Sequence, residues 1–227
     1  MAQAFFPDTR LRSATAAGGQ SDYRDENIYS AIVLAHGGSG QQKSFTVPQG
    51  QTIPTLKGST ITVAQAHQLA YTEVTTNLTQ AGQLGASIGD ASIRAIGLML
   101  EQAPVDTSGN IQAWGATQLE SMDVASKVFV QFKVAGKVQI QGPYSLFPAP
   151  GGVFGFTTST VTAVLTNGPM GVPRKLRMQI PIARTDNLEG VIGVAGSATL
   201  AFRTTTGAGA ASLLWVVLAA NVRGDVR

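Results

Sequence analysis

The stretch from Lys127 to Gln141, KVFVQFKVAGKVQIQ, decides the fold because its side chains alternate with a period of two. Its first half places four apolar residues on one face and mainly polar residues on the other. Ala135 and Gly136 then permit a turn, after which Val138 and Ile140 alternate with glutamines. Because residues two apart lie on the same face of a strand, this pattern predicts a β-hairpin.

The rest of the chain carries further short apolar or alternating runs, separated by Gly, Pro and Asn. Leu176, Met178, Ile180 and Ile182 alternate with other residues and predict one buried strand face. Other strands are predicted at residues 28–35, 43–47, 60–63, 93–100, 157–165, 191–194, 197–203 and 213–222. Closely spaced short strands of this kind predict an all-β fold, an antiparallel β-sandwich or barrel. Among these architectures we expect a jelly roll.

Residues 1–27 are predicted to form an extended N-terminal arm, and residues 28–227 a single β-sandwich domain. The arm contains Phe5 and Phe6, is interrupted by Pro7, and carries three arginines against four acidic residues, a net charge of −1. A disordered tail is one interpretation of such a segment. The two aromatic rings favour the other, an arm that docks on a neighbouring subunit.

Few of the 227 residues are charged: 13% of them, about half the usual share of roughly 25%. A surface with so few charges loses little solvation when another subunit covers it. Cysteine is absent, so the fold uses no disulfide and can mature in a reducing cytosol. With no apolar run after a basic start, we expect no signal peptide and a soluble protein.

From Val138 to Pro173 the sequence contains no charged residue. One interpretation is a core hairpin with a stiff Pro/Gly-rich loop over it. The interpretation we prefer is a surface covered by another subunit, because interface cores are depleted of charge and rich in aromatic rings. With the two arm residues, the predicted subunit-interface residues are Phe5, Phe6, Tyr144, Phe147, Phe154 and Phe156.

The chain shows little of the chemistry that an enzyme needs. Its two histidines, His36 and His67, lie in a Gly-rich turn and a polar segment, and no G-x-S-x-G nucleophile elbow is present. The glycines after His36 lack the Lys-Ser/Thr of a phosphate loop. We therefore expect no catalytic residue, no cofactor, no metal site and no small-molecule substrate.

Arg174, Lys175 and Arg177 form one basic cluster. Lysine and arginine neutralise phosphates, so contact with nucleic acid is one interpretation. Aromatic residues for base stacking do not interleave with the cluster. A solvated face or a salt bridge between subunits is therefore the interpretation we favour.

The hairpin followed by Gly142-Pro143-Tyr144 and Phe147-Pro148-Ala149-Pro150-Gly151-Gly152 resembles jelly-roll capsid proteins of tailless icosahedral bacteriophages. The apolar run 213–218 near the chain end is similar to theirs as well. The resemblance covers about the last hundred residues. It implies a subunit that builds a shell from many copies. Because the arm is not basic, it is expected to clamp a neighbour, or to face a membrane or another shell protein, rather than neutralise a genome.

The sequence thus predicts a virion structural protein, a capsid shell subunit that is made and assembled in the host cytoplasm. Its expected partners are copies of itself and other virion proteins, and contact with an internal membrane or the genome stays open. A phage tail, baseplate or cement protein is the first alternative. The second is a carbohydrate-binding β-sandwich, which would need exposed aromatic rings, although Trp215 lies in an apolar run.

Overall fold

The computed structural model describes residues 22–59, 73, 75–101, 123–148, 173–202, 204–205, 208–209 and 211–224. The predicted strands at 60–63 and 157–165 lie outside these residues. Within the described residues, the chain forms ten strands. They are β1 (Asp22–Ala35), β2 (Gln41–Ser44), β3 (Asp90–Glu101), β4 (Val128–Val134), β5 (Lys137–Pro143), β6 (Arg174–Ile182), β7 (Leu188–Val194), β8 (Thr204–Thr205), β9 (Ala208–Gly209) and β10 (Ala211–Gly224).

Helical structure is confined to short pieces in the same part of the chain. A single turn, α1, spans Gly85–Ile88, and a 3-10 turn spans Tyr144–Leu146 directly after β5. Residues 123–127 are also helical and lead into β4. The prediction of an all-β fold is therefore confirmed.

Two four-stranded antiparallel sheets form the body of the fold. The first sheet has the order β1-β10-β3-β6, and the second has the order β2-β7-β4-β5. Strands β8 and β9, of two residues each, pair antiparallel as a separate small sheet. The inner faces of the two large sheets supply one continuous apolar core, so the molecule is a β-sandwich.

The hairpin that decides the fold forms as predicted. Val128, Val130, Phe132 and Val134 are buried, and the residues between them are partly exposed. Ala135 and Gly136 both have positive φ, 49° and 76°, as a tight primed turn requires. The β5 strand has no fully buried residue, because it is the last strand of its sheet.

Three sequence predictions need correction. Residues 22–27, assigned to the arm, are the first part of β1 and pair with β10 from Asp22 onward. The strand predicted at 43–47 is β2, which ends at Ser44 because Phe45 turns to a φ of 64°. The described part of the segment predicted as a strand at 197–203 is irregular, although Leu200 and Phe202 are buried.

The alternation predicted for β6 is interrupted. Ile180 pairs with Ile93, but the next pair joins Lys175 to Ala95, so residues 176–179 stand opposite Arg94 alone. This irregularity turns Met178 outward, and its side chain is 83% exposed. Ile180 and Ile182 keep their predicted places in the core.

The two phenylalanines of β4 test the assignment of its faces. Phe132 is 1% exposed and belongs to the core, whereas Phe129 faces outward across Gly193. We expect Phe132→Ala to lower the free energy of unfolding by about 3–5 kcal/mol through the cavity it leaves. The matched control, Phe129→Ala, should cost clearly less. Chemical unfolding of both variants measures the difference, and equal losses would contradict the assignment.

Candidate subunit-contact surface

Strands β5 and β6 lie on the same side of the sandwich. Each is the last strand of its sheet, and β1 contacts β2 at the opposite ends of the two sheets. The guanidinium carbon of Arg174, at the start of β6, lies 5.6 Å from the centre of the Phe147 ring behind β5. We call residues 137–147 and 174–179 the β5–β6 side.

Exposed large hydrophobic side chains of the described residues occur on this side of the molecule. Val138 on β5 is 48% exposed, Leu146 just after β5 is 49% exposed, and Met178 on β6 is 83% exposed. Single exposed hydrophobic residues are ordinary on protein surfaces. The three that the described residues contain all occur along these two neighbouring sheet edges, which favours this side of the molecule as a contact surface.

Local sequence explains why Leu146 sits at the end of β5. Pro143 ends the strand, and the amide of Phe147 donates a hydrogen bond to the carbonyl oxygen of Tyr144, closing a 3-10 turn. The turn places the Leu146 side chain against Gly142, where an added Cβ would lie 3.0 Å from Leu146 Cδ1. Gly142 therefore leaves the space that Leu146 occupies.

The predicted interface aromatics have different positions. Tyr144 and Phe147 are 6% and 1% exposed and belong to the core of this chain, so they are not exposed rings on which a partner could dock. The prediction of Tyr144 and Phe147 as subunit-interface residues is therefore corrected, because both rings pack inside their own chain. Phe5, Phe6, Phe154 and Phe156 lie outside the described residues.

The predicted basic cluster lies on this same side. Arg174 is held over Phe147, whereas Lys175 and Arg177 are exposed on β6. Together with Lys137 they give four basic residues, and residues 137–148 and 173–182 contain no acidic residue. The β5–β6 side is thus uncharged along β5 past Lys137 and positively charged along β6.

Sequence reasoning missed Val138, Leu146 and Met178 as exposed positions. Apolar residues such as these are usually buried in the core. Only the strand pairing shows that these three lie at exposed sheet edges. The one usable signal was the lack of charge from Val138 onward, which marked the region without separating its buried rings from its exposed aliphatic side chains.

Residues considered for catalysis or sugar binding are engaged elsewhere or lie outside the described residues. His36 Nδ1 is 2.5 Å from the carbonyl oxygen of Phe202. Trp215 is buried on the outer face of the first sheet, 6.0 Å from the Tyr29 ring. His67 and Trp114 are not among the described residues.

The described part of the chain holds neither a metal-binding cluster nor a membrane-spanning helix. No group of three His, Asp or Glu side chains there is placed to hold a metal ion. No helix there is long and apolar enough to cross a membrane.

Comparison with known proteins adds no relative. No protein-family model matches the chain, and neither curated proteins nor solved structures give a significant match. Function has to be inferred from the fold and the surface.

The outer face of the second sheet carries one well-formed ion pair. Lys43 Nζ of β2 donates a hydrogen bond to Glu189 Oε1 of β7 over 2.8 Å, and Asn187 and Lys133 lie nearby. The hydrogen bond from Lys43 and the surrounding positive charge hold the pKa of Glu189 below its ordinary value of 4.5, against the opposing effect of burial.

This lowered pKa predicts a pH dependence of stability. An ionised Glu189 stabilises the fold at pH values above 4.5, and this contribution is lost as pH falls through the lowered pKa of the folded state. Lys43→Met should therefore reduce the drop in unfolding free energy between about pH 6 and about pH 3. Lys57→Met, at an exposed lysine, is the control. An unchanged drop in the Lys43 variant, measured by urea unfolding, would contradict the assignment.

Proposed function

We propose that this protein is a virion structural protein, a capsid shell subunit with a jelly-roll fold. Its strand pairing supports the jelly roll. Without the two-residue β8 and β9, the pairs are β1 with β10, β2 with β7, β3 with β6, and β4 with β5. These are the first strand with the last, the second with the second last, and so inward. A long hairpin that rolls up into two sheets produces this nested order, and viral capsid proteins are one of the classes built this way.

The jelly roll also occurs in lectins and cupins, so the fold alone does not select the function. The space between the sheets is filled with apolar side chains such as Phe45, Phe132 and Ile192, each at most 1% exposed. A closed core of this kind supports a role that uses outer surfaces. It supports a cupin-like cavity binder less well.

The observation that carries the proposal is the β5–β6 side. Val138, Leu146 and Met178 leave apolar surface in water along two sheet edges, on a chain with few charges to keep it soluble. A covering subunit would remove that surface from water, at about 25 cal/mol per Å² of apolar area. Small contacts of this kind are individually weak, and they suit an assembly in which many copies repeat them.

A tail, baseplate or cement role uses the same kind of surface and differs in symmetry. Shell subunits meet at pentagonal or hexagonal positions, whereas tail and cement proteins form rings or small closed oligomers. The shape of the assembly therefore separates the two roles.

Self-assembly of the full chain is the direct test. We expect size-exclusion chromatography with light scattering to find large species, and negative-stain electron microscopy to find shells or pentagonal and hexagonal arrays. Rings or trimers would favour the tail or cement role. A clean monomer at high protein concentration under every salt condition would contradict the proposal.

A charged substitution tests the surface itself. Leu146→Glu should weaken assembly at least about tenfold, because burying an unpaired carboxylate in a contact is costly. Gln51→Glu, at an exposed position in the loop after β2, is the matched control and should assemble like the parent protein. Equal assembly of the two variants would place the contact elsewhere on the molecule.

A further inference from the structure

The four sheet edges of the sandwich differ in how they are protected. An unprotected edge strand presents a row of backbone donors and acceptors to any other strand. The edge of β1 is covered by its own chain. Ala31 and Val33 donate backbone hydrogen bonds to Thr75 and Pro54, and Leu56 donates one back to Val33.

Two other edges carry the features that discourage pairing. Strand β2 has only four residues and includes Lys43, which is held by Glu189. Strand β6 carries Arg174, Lys175 and Arg177, and Pro181 removes one donor from its edge. Short length, charge and proline are the usual ways in which proteins keep an edge from pairing.

The edge of β5 has the bulge and the proline of a protected edge, but past its turn it lacks the charge. In the part of the chain that the structure describes, its backbone hydrogen bonds go to β4 alone. No charged residue occurs from Val138 to Pro143, and Lys137 stands at the turn end of the strand. A bulge at Gln139 and the proline at 143 leave Ile140, Gln141 and Gly142 as its regular part.

We propose that this edge pairs antiparallel with the same strand of a second copy, about a two-fold axis near Gln141. The second sheet would then continue across the contact as eight strands. The inference deepens the proposed function, since it rests on self-assembly and names one contact and its symmetry. Edge-to-edge strand addition is a common mode of recognition, and two-fold contacts are the commonest in homo-oligomers.

The faces of β5 fit pairing with itself. Ile140 and Gly142 face inward, opposite Phe132 and Val130 of β4, whereas Gln141 faces outward and contacts Gln131. With the axis at Gln141, Ile140 lies opposite Gly142 of the second copy, and both face the interior. The two Gln141 side chains meet on the outer face, where two amides can bond to each other.

The charged residues near β5 also allow it to pair with the same strand of a second copy. In this register Lys137 falls beyond the paired residues, so no two charges stand opposite each other across the axis. Lys133 lies one strand further in, on β4, and Arg174, Lys175 and Arg177 lie on β6 in the other sheet, at the ordinary sheet spacing of about 10 Å. Physiological salt screens charges over about 8 Å. Dimerisation should therefore strengthen as salt is raised from low concentration.

Two-fold pairing also explains why the contact would stop at two copies. It uses the β5 edge of both partners, and the far edge of each joined sheet is the short, lysine-bearing β2. An eight-stranded sheet with protected ends cannot extend into a fibre. Larger assembly would need the other surfaces of the molecule.

The absence of cysteine from the sequence makes cross-linking a direct test. In Gln141→Cys the only thiol of each copy lies next to the proposed axis, and residues directly opposite have Cβ atoms about 4.5–5.5 Å apart. A short bismaleimide should therefore join two chains in high yield. The matched control is Gln41→Cys, an exposed glutamine on β2, the other edge strand of the same sheet. It should give background yield.

A second pair of variants tests the contact without a reagent. Gln141→Lys should weaken self-association at least about tenfold, because it brings two positive charges together at the axis. Gln41→Lys adds the same charge at the other edge and should leave association unchanged. Sedimentation velocity over a range of protein concentrations measures both.

The outcomes separate this inference from the proposed function. Equal cross-linking yields from Gln41→Cys and Gln141→Cys, in a protein that still assembles, would overturn the β5 contact and leave the shell proposal standing. A cross-linked dimer that builds nothing larger would support the contact and contradict the shell. A monomer at every concentration would overturn both.

Discussion

The structure depends on the packing of two inner sheet faces against each other. Strands β1, β10 and β3 bring Ile32, Leu214 and Leu98 to the interface, and β4 and β7 bring Phe132 and Ile192 from the opposite sheet. Burial of such side chains contributes about 1.5–3 kcal/mol each, so this one layer outweighs every exposed ion pair among the described residues. The polar outer faces, the edges and the loops are arranged around it.

Phe45 shows how strongly this core constrains the backbone. It directly follows β2, has a φ of 64°, and is fully buried. A left-handed conformation costs a non-glycine residue about 1–2 kcal/mol, which burial of the ring offsets. Gly190 of β7 makes room for the neighbouring Ser44, because a Cβ there would overlap Ser44 Oγ, whereas it would meet the Phe45 ring at an ordinary 3.5 Å. The turn after β2 is therefore set by the core rather than by local preference.

Sequence periodicity predicted the strands in which one face is buried and the other is exposed to solvent. The β4 strand is the clearest case, since its neighbours β7 and β5 leave one face to the core and the other to solvent. The sequence groups residues 22–27, which are mostly charged, with the N-terminal arm. They form a strand through pairing with β10, which composition does not reveal. Leu176 and Met178 are predicted from the sequence to share a buried face. The shift in register between β6 and β3 leaves Leu176 partly buried and Met178 exposed.

The lack of charge after Lys137 includes two kinds of position, buried and exposed, that the sequence could not separate. Tyr144 and Phe147 lie in the core, where a charge would cost several kcal/mol, so the fold forbids charge at those two positions. Val138 and Gln141 are exposed at a sheet edge, where a lysine or glutamate would cost an isolated molecule almost nothing and would protect the edge. Stability of the single chain therefore does not account for uncharged residues there. The proposed pairing with another strand would account for them, at the edge of β5 rather than at the aromatic rings behind it.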